Sequence, residues 1–114
     1  MPAETEKFQG LDPLFSDKVR KVVADLEFKG WRIRIVWGKR SHEENMALVR
    51  KGYASRNSKH LTGHAVDLVD RNTGYSNDRN HKYYKDLENS AKRNGLLWGG
   101  NFSARWDPCH IEMP

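Results

Sequence analysis

The sequence predicts an α+β domain, and three observations lead there. Three stretches carry apolar residues at helical spacing and stop near a glycine: one ending at Gly30, one at Gly52 and one at Gly95. Between the first two, Trp31 to Trp37 alternates strictly, with Arg32 and Arg34 on one face and Ile33 and Ile35 on the other. Short apolar runs at 65–69, 96–98 and 110–113 supply further strand candidates. Helical and strand-like pieces interleave with no internal repeat, the pattern of an α+β domain. A chain of 114 residues has room for one such domain, 1–114, and one modest core.

Taken in order, residues 1–15 contain Pro13 and read as an irregular lead-in. Ser16 is the expected N-cap of the first helix, whose stripe is Val19, Val22, Val23 and Leu26. The alternating segment 31–37 is a half-buried strand with a basic outer face. Gly38 breaks it, and Ser41 followed by Glu44 forms a capping-box signature for a second helix through Met46 and Leu48 to Lys51. Gly52 to Gly63 is polar and rich in Ser and Asn, hence a loop. Ala65 to Val69 is a strand, and Asp70 to Asn80 a loop. The third helix runs from about Arg79 to Arg93 and carries Tyr83, Tyr84, Leu87 and Ala91 on one stripe.

Composition narrows function before any motif does. Twenty Lys and Arg against fifteen Asp and Glu give a net charge of +5, which favours an anionic partner: nucleic acid, an anionic glycopolymer or a membrane surface. One cysteine excludes an intrachain disulfide framework. No apolar run approaches the ~20 residues of a membrane span. Met1 to Gly10 is polar and has no apolar signal core, so the expectation is a protein made in the cytosol.

Two segments concentrate metal-ligand residue types: Ser58-Lys-His60-Leu-Thr-Gly63-His64-Ala-Val-Asp67 and Trp106-Asp107-Pro-Cys109-His110-Ile-Glu112. Neither is an HExxH helix. His60 and His64 stand four apart, but Gly63 and the β-like run after it argue against a helical pair. On an extended strand His64 and Asp67 point to opposite faces, whereas His60, in the loop, can fold back toward Asp67. A catalytic zinc site wants three protein ligands and an open position, and His60, Asp67 and His110 would supply the ligands. Asp107 could then act as general base, and Arg40, between a strand and a capped helix, is the best-placed charge for an oxyanion. His42 and His81 read as ordinary surface or structural residues. Asp70-Arg-Asn72-Thr-Gly74 resembles the start of a calcium loop, but His81 stands where its bidentate Glu would be, so it reads as a turn.

The combination Ser58-x-His60-x-x-Gly63-x-Ala65-x-Asp67 with Asp107-x-x-His110-x-Glu112 resembles the signature of the zinc peptidases that cut peptidoglycan stem peptides. These include D-alanyl-D-alanine carboxypeptidases, the vancomycin-resistance D,D-dipeptidase and the L-alanyl-D-glutamate endopeptidases of phage endolysins. Gly38-Lys-Arg40-Ser41-x-Glu43-Glu44 is similar to that family's Arg-bearing turn, and Trp98-Gly99-Gly100-Asn-Phe to a stretch of the endolysin branch.

The resemblance implies a small antiparallel sheet flanked by about three helices, the D,D-peptidase/Hedgehog-like fold. It implies zinc (Zn2+) on His60, Asp67 and His110, with Asp107 as base and Arg40 polarising the substrate carbonyl. Ser58 and Trp98 join Arg40 as substrate contacts. It further implies a peptidoglycan stem peptide as substrate, cut at the L-alanyl-D-glutamate bond by a phage or prophage endolysin. Such an enzyme would be monomeric, without a separate wall-binding domain, a nucleic-acid partner or membrane insertion. It would accumulate in the host cytosol and need a holin to reach the wall. D-alanyl-D-alanine carboxypeptidase or dipeptidase activity, or a non-catalytic zinc-bearing wall binder, are the alternatives. Two departures stand out. Asn45 replaces a frequent Gln, and Cys109 takes a position often held by Pro, which would leave a thiol beside a ligand, open to oxidation or inhibitory metals.

Overall fold

The structure, a computed structural model, describes residues 5–114. After a 3-10 turn at Thr5–Phe8 come α1 (Pro13–Phe28), β1 (Ile33–Trp37) and α2 (His42–Arg50). A second 3-10 turn, Lys59–Thr62, leads into β2 (Ala65–Asp70), α3 (Lys82–Arg93), β3 (Leu97–Trp98), a third 3-10 turn at Gly99–Asn101 and β4 (His110–Glu112). The strands form one antiparallel sheet in the order β1-β2-β4-β3. The α+β class expected from the sequence is what the chain adopts. No helix of the described residues is long and apolar enough to cross a membrane.

Alternation decides which face of the sheet does what. Ile33 and Ile35 of β1, Val66 and Leu68 of β2 and Ile111 of β4 are buried in one core with the stripes of α1 and α3. All four expected stripe residues of α1 and all four of α3 lie in that core. Asp67, between Val66 and Leu68, therefore points to the opposite face. There the register aligns Trp37, Asp67 and His110 in one row across three strands. A register shift between Ile35 and Trp37 sets Trp37 into that row, the local re-aiming that a bulge provides.

The capping box at Ser41 and Glu44 forms as read, with both reciprocal bonds present. The start of α1 does not follow the sequence reading. Its N-cap is Asp12, whose carboxylate accepts from the Phe15 N–H, and Pro13 opens the helix. Proline's fixed φ and missing N–H suit the first helical position. Residues 13–15 thus belong to the helix, and Phe15 is fully buried; residues 1–4 of the expected lead-in lie outside the described residues. Helix α3 likewise starts at Lys82, because the His81 ring accepts from the Tyr83 N–H and caps it. The loop expected at 52–63 contains the short 3-10 turn, capped by the Ser58 hydroxyl at the His60 N–H.

Gly63 ends that turn with φ of 77°, and its N–H returns to the His60 carbonyl. A Cβ there would lie 2.3 Å from the Gly10 carbonyl oxygen, whereas at Gly52, with φ of 79°, it would meet nothing within 4 Å. Both Gly63→Ala and Gly52→Ala incur the left-handed backbone cost of roughly 1–2 kcal/mol. Gly63→Ala should lose measurably more in urea unfolding, because its Cβ also forces the chain away from Gly10. Equal losses would show that the Gly10 approach does not constrain the fold.

Candidate metal and active site

The row on the open face of the sheet gathers the sequence-predicted ligands. One ligand atom each from His60, Asp67 and His110 lie within 4.8 Å of one another. Asp67 and His110 meet because their strands pair in register, and His110 Nδ1 lies 3.1 Å from Asp67 Oδ1. His60 arrives from the 3-10 turn, with Nε2 3.3 Å from Asp67 Oδ2. The loop-to-strand convergence expected of these two is thus present. His64 stays outside, 2.8 Å from the Thr62 hydroxyl.

The His60 ring is oriented from behind. Its Nδ1 is 2.8 Å from the Gly38 carbonyl, which can only accept, so Nδ1 carries the proton and Nε2 the lone pair of the neutral ring. That Nε2 is buried and has no hydrogen-bond partner. A buried nitrogen lone pair facing a carboxylate and a second imidazole is costly as a bare protein arrangement. It suits a cation. Two imidazoles and one carboxylate, with space in front, match the donor set of a three-ligand zinc site.

The charges respond to this crowding. Burial alone would raise the Asp67 pKa, but His110 and His60 outweigh it and hold the carboxyl well below the ordinary range. Burial would lower the His110 pKa, yet its bonds to Asp67 and Glu112 push it up to about 9. Asp107 moves upward, first through burial and then through repulsion from Asp67. Its carboxylate lies 3.6 Å from His110 Nδ1 and its side chain is 42% exposed, against 16% for Asp67. Asp67 is therefore committed inward, while Asp107 is free to meet a ligand.

Arg40 is buried, and its Nη2 is 3.3 Å from Asp67 Oδ2. Asn45 steers it: Oδ1 accepts from Arg40 Nη1 at 3.2 Å, and Nδ2 donates to the Ser55 carbonyl. The guanidinium also sits over the Trp37 ring, 4.9 Å from its centroid. A cleft of about 530 Å³ opens over the cluster, lined among others by Arg40, Ser58, Asp107 and Phe102.

Two expectations change here. Trp98 does not line the cleft; its indole donates to the Pro108 carbonyl at 2.7 Å and so braces the turn between Asp107 and His110. Cys109 is the small buried hydrophobe its residue type most often is, not a thiol open to oxidation: it packs in the core near Tyr84, and burial pushes its pKa up to about 12, which leaves it protonated and unreactive. His81 is the helix cap described above. The Asp70 carboxylate is consumed by the Arg32 and Thr73 N–H groups and the Thr73 hydroxyl, so the turn reading of that loop stands.

The sequence places Gly99 and Glu112 within the resembling motifs and links Asn45 to the helix that supports the site, but gives none of the three a contact. A Cβ on Gly99 would lie 2.2 Å from the Asp107 carbonyl oxygen and 2.9 Å from the His110 Cβ. Only glycine lets this turn approach, and the Trp-Gly-Gly run was its available signal. Glu112 stands two residues beyond His110, so on a strand it shares that residue's face, and its Oε1 lies 2.7 Å from His110 Nε2.

The comparisons with known proteins agree with this picture. The sequence profile of a family described as D-alanyl-D-alanine carboxypeptidase matches residues 51–113, which include both ligand segments. No curated protein sequence matches the chain significantly. Among solved structures, the L-Ala D-Glu endopeptidase ChiX of Serratia marcescens is similar at 25% identity and a TM-score of 0.76, over 96% of this chain and 85% of that one. DacB of Streptococcus pneumoniae D39 is similar at 18% identity and 0.69, over 99% and 71%. The vancomycin resistance D,D-pentapeptidase VanY, in complex with Zn(II), is similar at 16% identity and 0.69, over 90% and 72%. At such identities the last two establish a shared fold.

The His110 shift has a direct consequence for stability. A histidine held at about 9 in the folded chain, against 6.5 ordinarily, favours folding fully below pH 6.5, and the advantage is lost as pH rises through 9. The unfolding free energy of chelator-treated protein, measured in urea, should fall across that window. A bound divalent metal takes the place of the proton and should remove the slope. A metal-free profile that stays flat from pH 6.5 to 9 would contradict the coupling.

Proposed function

Because the chain belongs to the D-alanyl-D-alanine carboxypeptidase family, we propose that it is a zinc metallopeptidase of the peptidoglycan stem peptide, cutting the L-alanyl-D-glutamate bond. The observation that carries the metal assignment is the buried, partnerless His60 Nε2 facing Asp67 and His110. The Zn(II) in the similar VanY structure supports the choice of ion. The bond assignment draws on the likeness to ChiX, an L-Ala D-Glu endopeptidase, along nearly the whole chain.

In this reading His60, Asp67 and His110 would hold the zinc. The ion supplies Lewis acidity, polarising a carbonyl and making water a competent nucleophile near neutral pH. Asp107, raised by burial and by Asp67, takes a proton from the attacking water and delivers it to the leaving amine. A carboxylate poised upward is a better proton carrier for this task than one at its ordinary value. Arg40, buried and pinned by Asn45, contributes fixed positive charge where the oxyanion forms, at no reorganisation cost. Ser58 lines the cleft beside His60 and offers a polar contact for the stem peptide. The protein would work as a monomer, made in a host cytosol as a phage or prophage endolysin and released to the wall through a holin.

Digestion of purified murein with mass-spectrometric mapping tests the reading. New N-terminal D-Glu is the expected product. Release of terminal D-Ala would instead place the enzyme among the carboxypeptidases that the family description names. Asp107→Ala should fold and bind zinc as the parent does while hydrolysis falls by about 10²–10⁴-fold, the usual weight of a general base. Undiminished lysis by that variant would remove Asp107 from the mechanism, and a folded, zinc-loaded parent that cuts no murein would leave a wall-binding domain.

A further inference from the structure

The reach of the site extends behind His110. In β4, His110 and Glu112 are two residues apart and share a face, and the pairing of Glu112 with Ala65 of β2 and Leu97 of β3 fixes its backbone on both sides. Glu112 Oε1 is 2.7 Å from His110 Nε2. A carboxylate at this distance accepts, so Nε2 must carry the proton. Nδ1, 3.1 Å from Asp67, faces the other expected ligands, so it is the nitrogen that would exchange its proton for a metal while Nε2 keeps the proton held by Glu112.

Glu112 is itself held at both ends. Its second oxygen, Oε2, is 3.0 Å from Lys59 Nζ, and the same ammonium donates to the Met113 carbonyl at 2.5 Å. Lys59 directly precedes His60; its side chain is 38% exposed, while that of Glu112 is only 14% exposed, so the carboxylate end of the pair is the sheltered one. The ion pair thus ties the turn that carries one expected ligand to the strand that carries another. The order runs Lys59, Glu112, His110, Asp67.

We infer that Glu112, oriented by Lys59, is a positioning residue for the metal: it sets the tautomer and the angle of His110 and closes the two ligand-bearing segments onto each other. A carboxylate behind a histidine ligand raises its basicity toward the metal, and loss of such a partner costs roughly 10–100-fold in affinity. The inference rests on the metal site proposed above and goes beyond its ligand list.

The test uses metal-depleted full-length protein and zinc alone, with affinity read by competition against a chromogenic chelator. Glu112→Ala should weaken zinc binding by about 10–100-fold. Glu112→Gln, whose amide oxygen can still accept from Nε2–H, should recover much of that loss. In zinc-loaded parent protein, long-range proton–nitrogen NMR should place the His110 proton on Nε2. If Glu112→Ala fails to fold, Lys59→Met carries the test, since it frees one carboxylate oxygen and should lower affinity severalfold. Parent-like zinc affinity in these variants, or a His110 proton on Nδ1, would overturn the inference while leaving zinc binding by the parent intact. A folded parent that takes up no zinc would instead bring down the metal site and the inference together.

Discussion

The site hangs on one carboxylate. Asp67 stands in the central row of the sheet, between Trp37 and His110, with its side chain 16% exposed. A carboxylate so placed is tolerable only if it is paired and hydrogen-bonded. His110 faces one oxygen at 3.1 Å, while Arg40 and His60 each stand 3.3 Å from the other. These three neighbours come from β4, from the segment after β1 and from the turn before β2; His110 and Arg40 compensate the charge while the His60 lone pair suits a cation between them, so the arrangement requires most of the chain to be in place. The core on the far side of the sheet fixes the strands, and the strands fix the carboxylate.

Backbone proximity makes that convergence possible. The Gly38 carbonyl holds the His60 ring at 2.8 Å while the His60 carbonyl accepts from the Arg40 N–H at 3.0 Å, a reciprocal clasp between two segments far apart in sequence. Gly99 permits a similar approach at the other end, where its carbonyl accepts from the Asp107 N–H at 3.0 Å. A Cβ on Gly99 would occupy the space that the Asp107 backbone needs, and one on Gly38 the space of the Lys7 carbonyl, which packs the N-terminal turn against the end of β1. Trp98, bound to the Pro108 carbonyl, completes the brace on the turn. Asp107 is consequently fixed in backbone while its carboxylate remains partly open, the combination a proton carrier requires.

Charge is distributed with the same division of labour. The net +5 drew attention to an anionic partner, and part of the positive balance is spent inside the protein. Arg40 compensates Asp67, and Lys59 is engaged by Glu112 and the Met113 carbonyl. The lone cysteine, conspicuous beside His110, belongs to the core: it stands in the turn leading into β4 and packs there, while His110 faces the other expected ligands. Sequence adjacency to a ligand is not spatial adjacency to the metal.

The amino-acid sequence by itself determined the class of fold, the apolar stripes of α1 and α3, the two-faced strand β1 and the capping box of α2, since each follows from periodicity or local hydrogen bonding within a few residues. It also singled out His60, Asp67, His110, Asp107 and Arg40 as candidates, through residue type and spacing together with the resemblance of the two motifs to a peptidase signature. Where helices begin was less legible: at Asp12 and His81 the capping atom outweighed the apolar pattern, and Pro13 served as a start rather than a stop. Tertiary structure alone decided that Trp37, Asp67 and His110 share a row, that Asn45 steers Arg40, that Glu112 backs His110 and that Trp98 braces a turn instead of lining the cleft. Those facts depend on strand register and on backbones passing within hydrogen-bond distance, which set residues tens of positions apart against each other and leave no periodic trace along the chain.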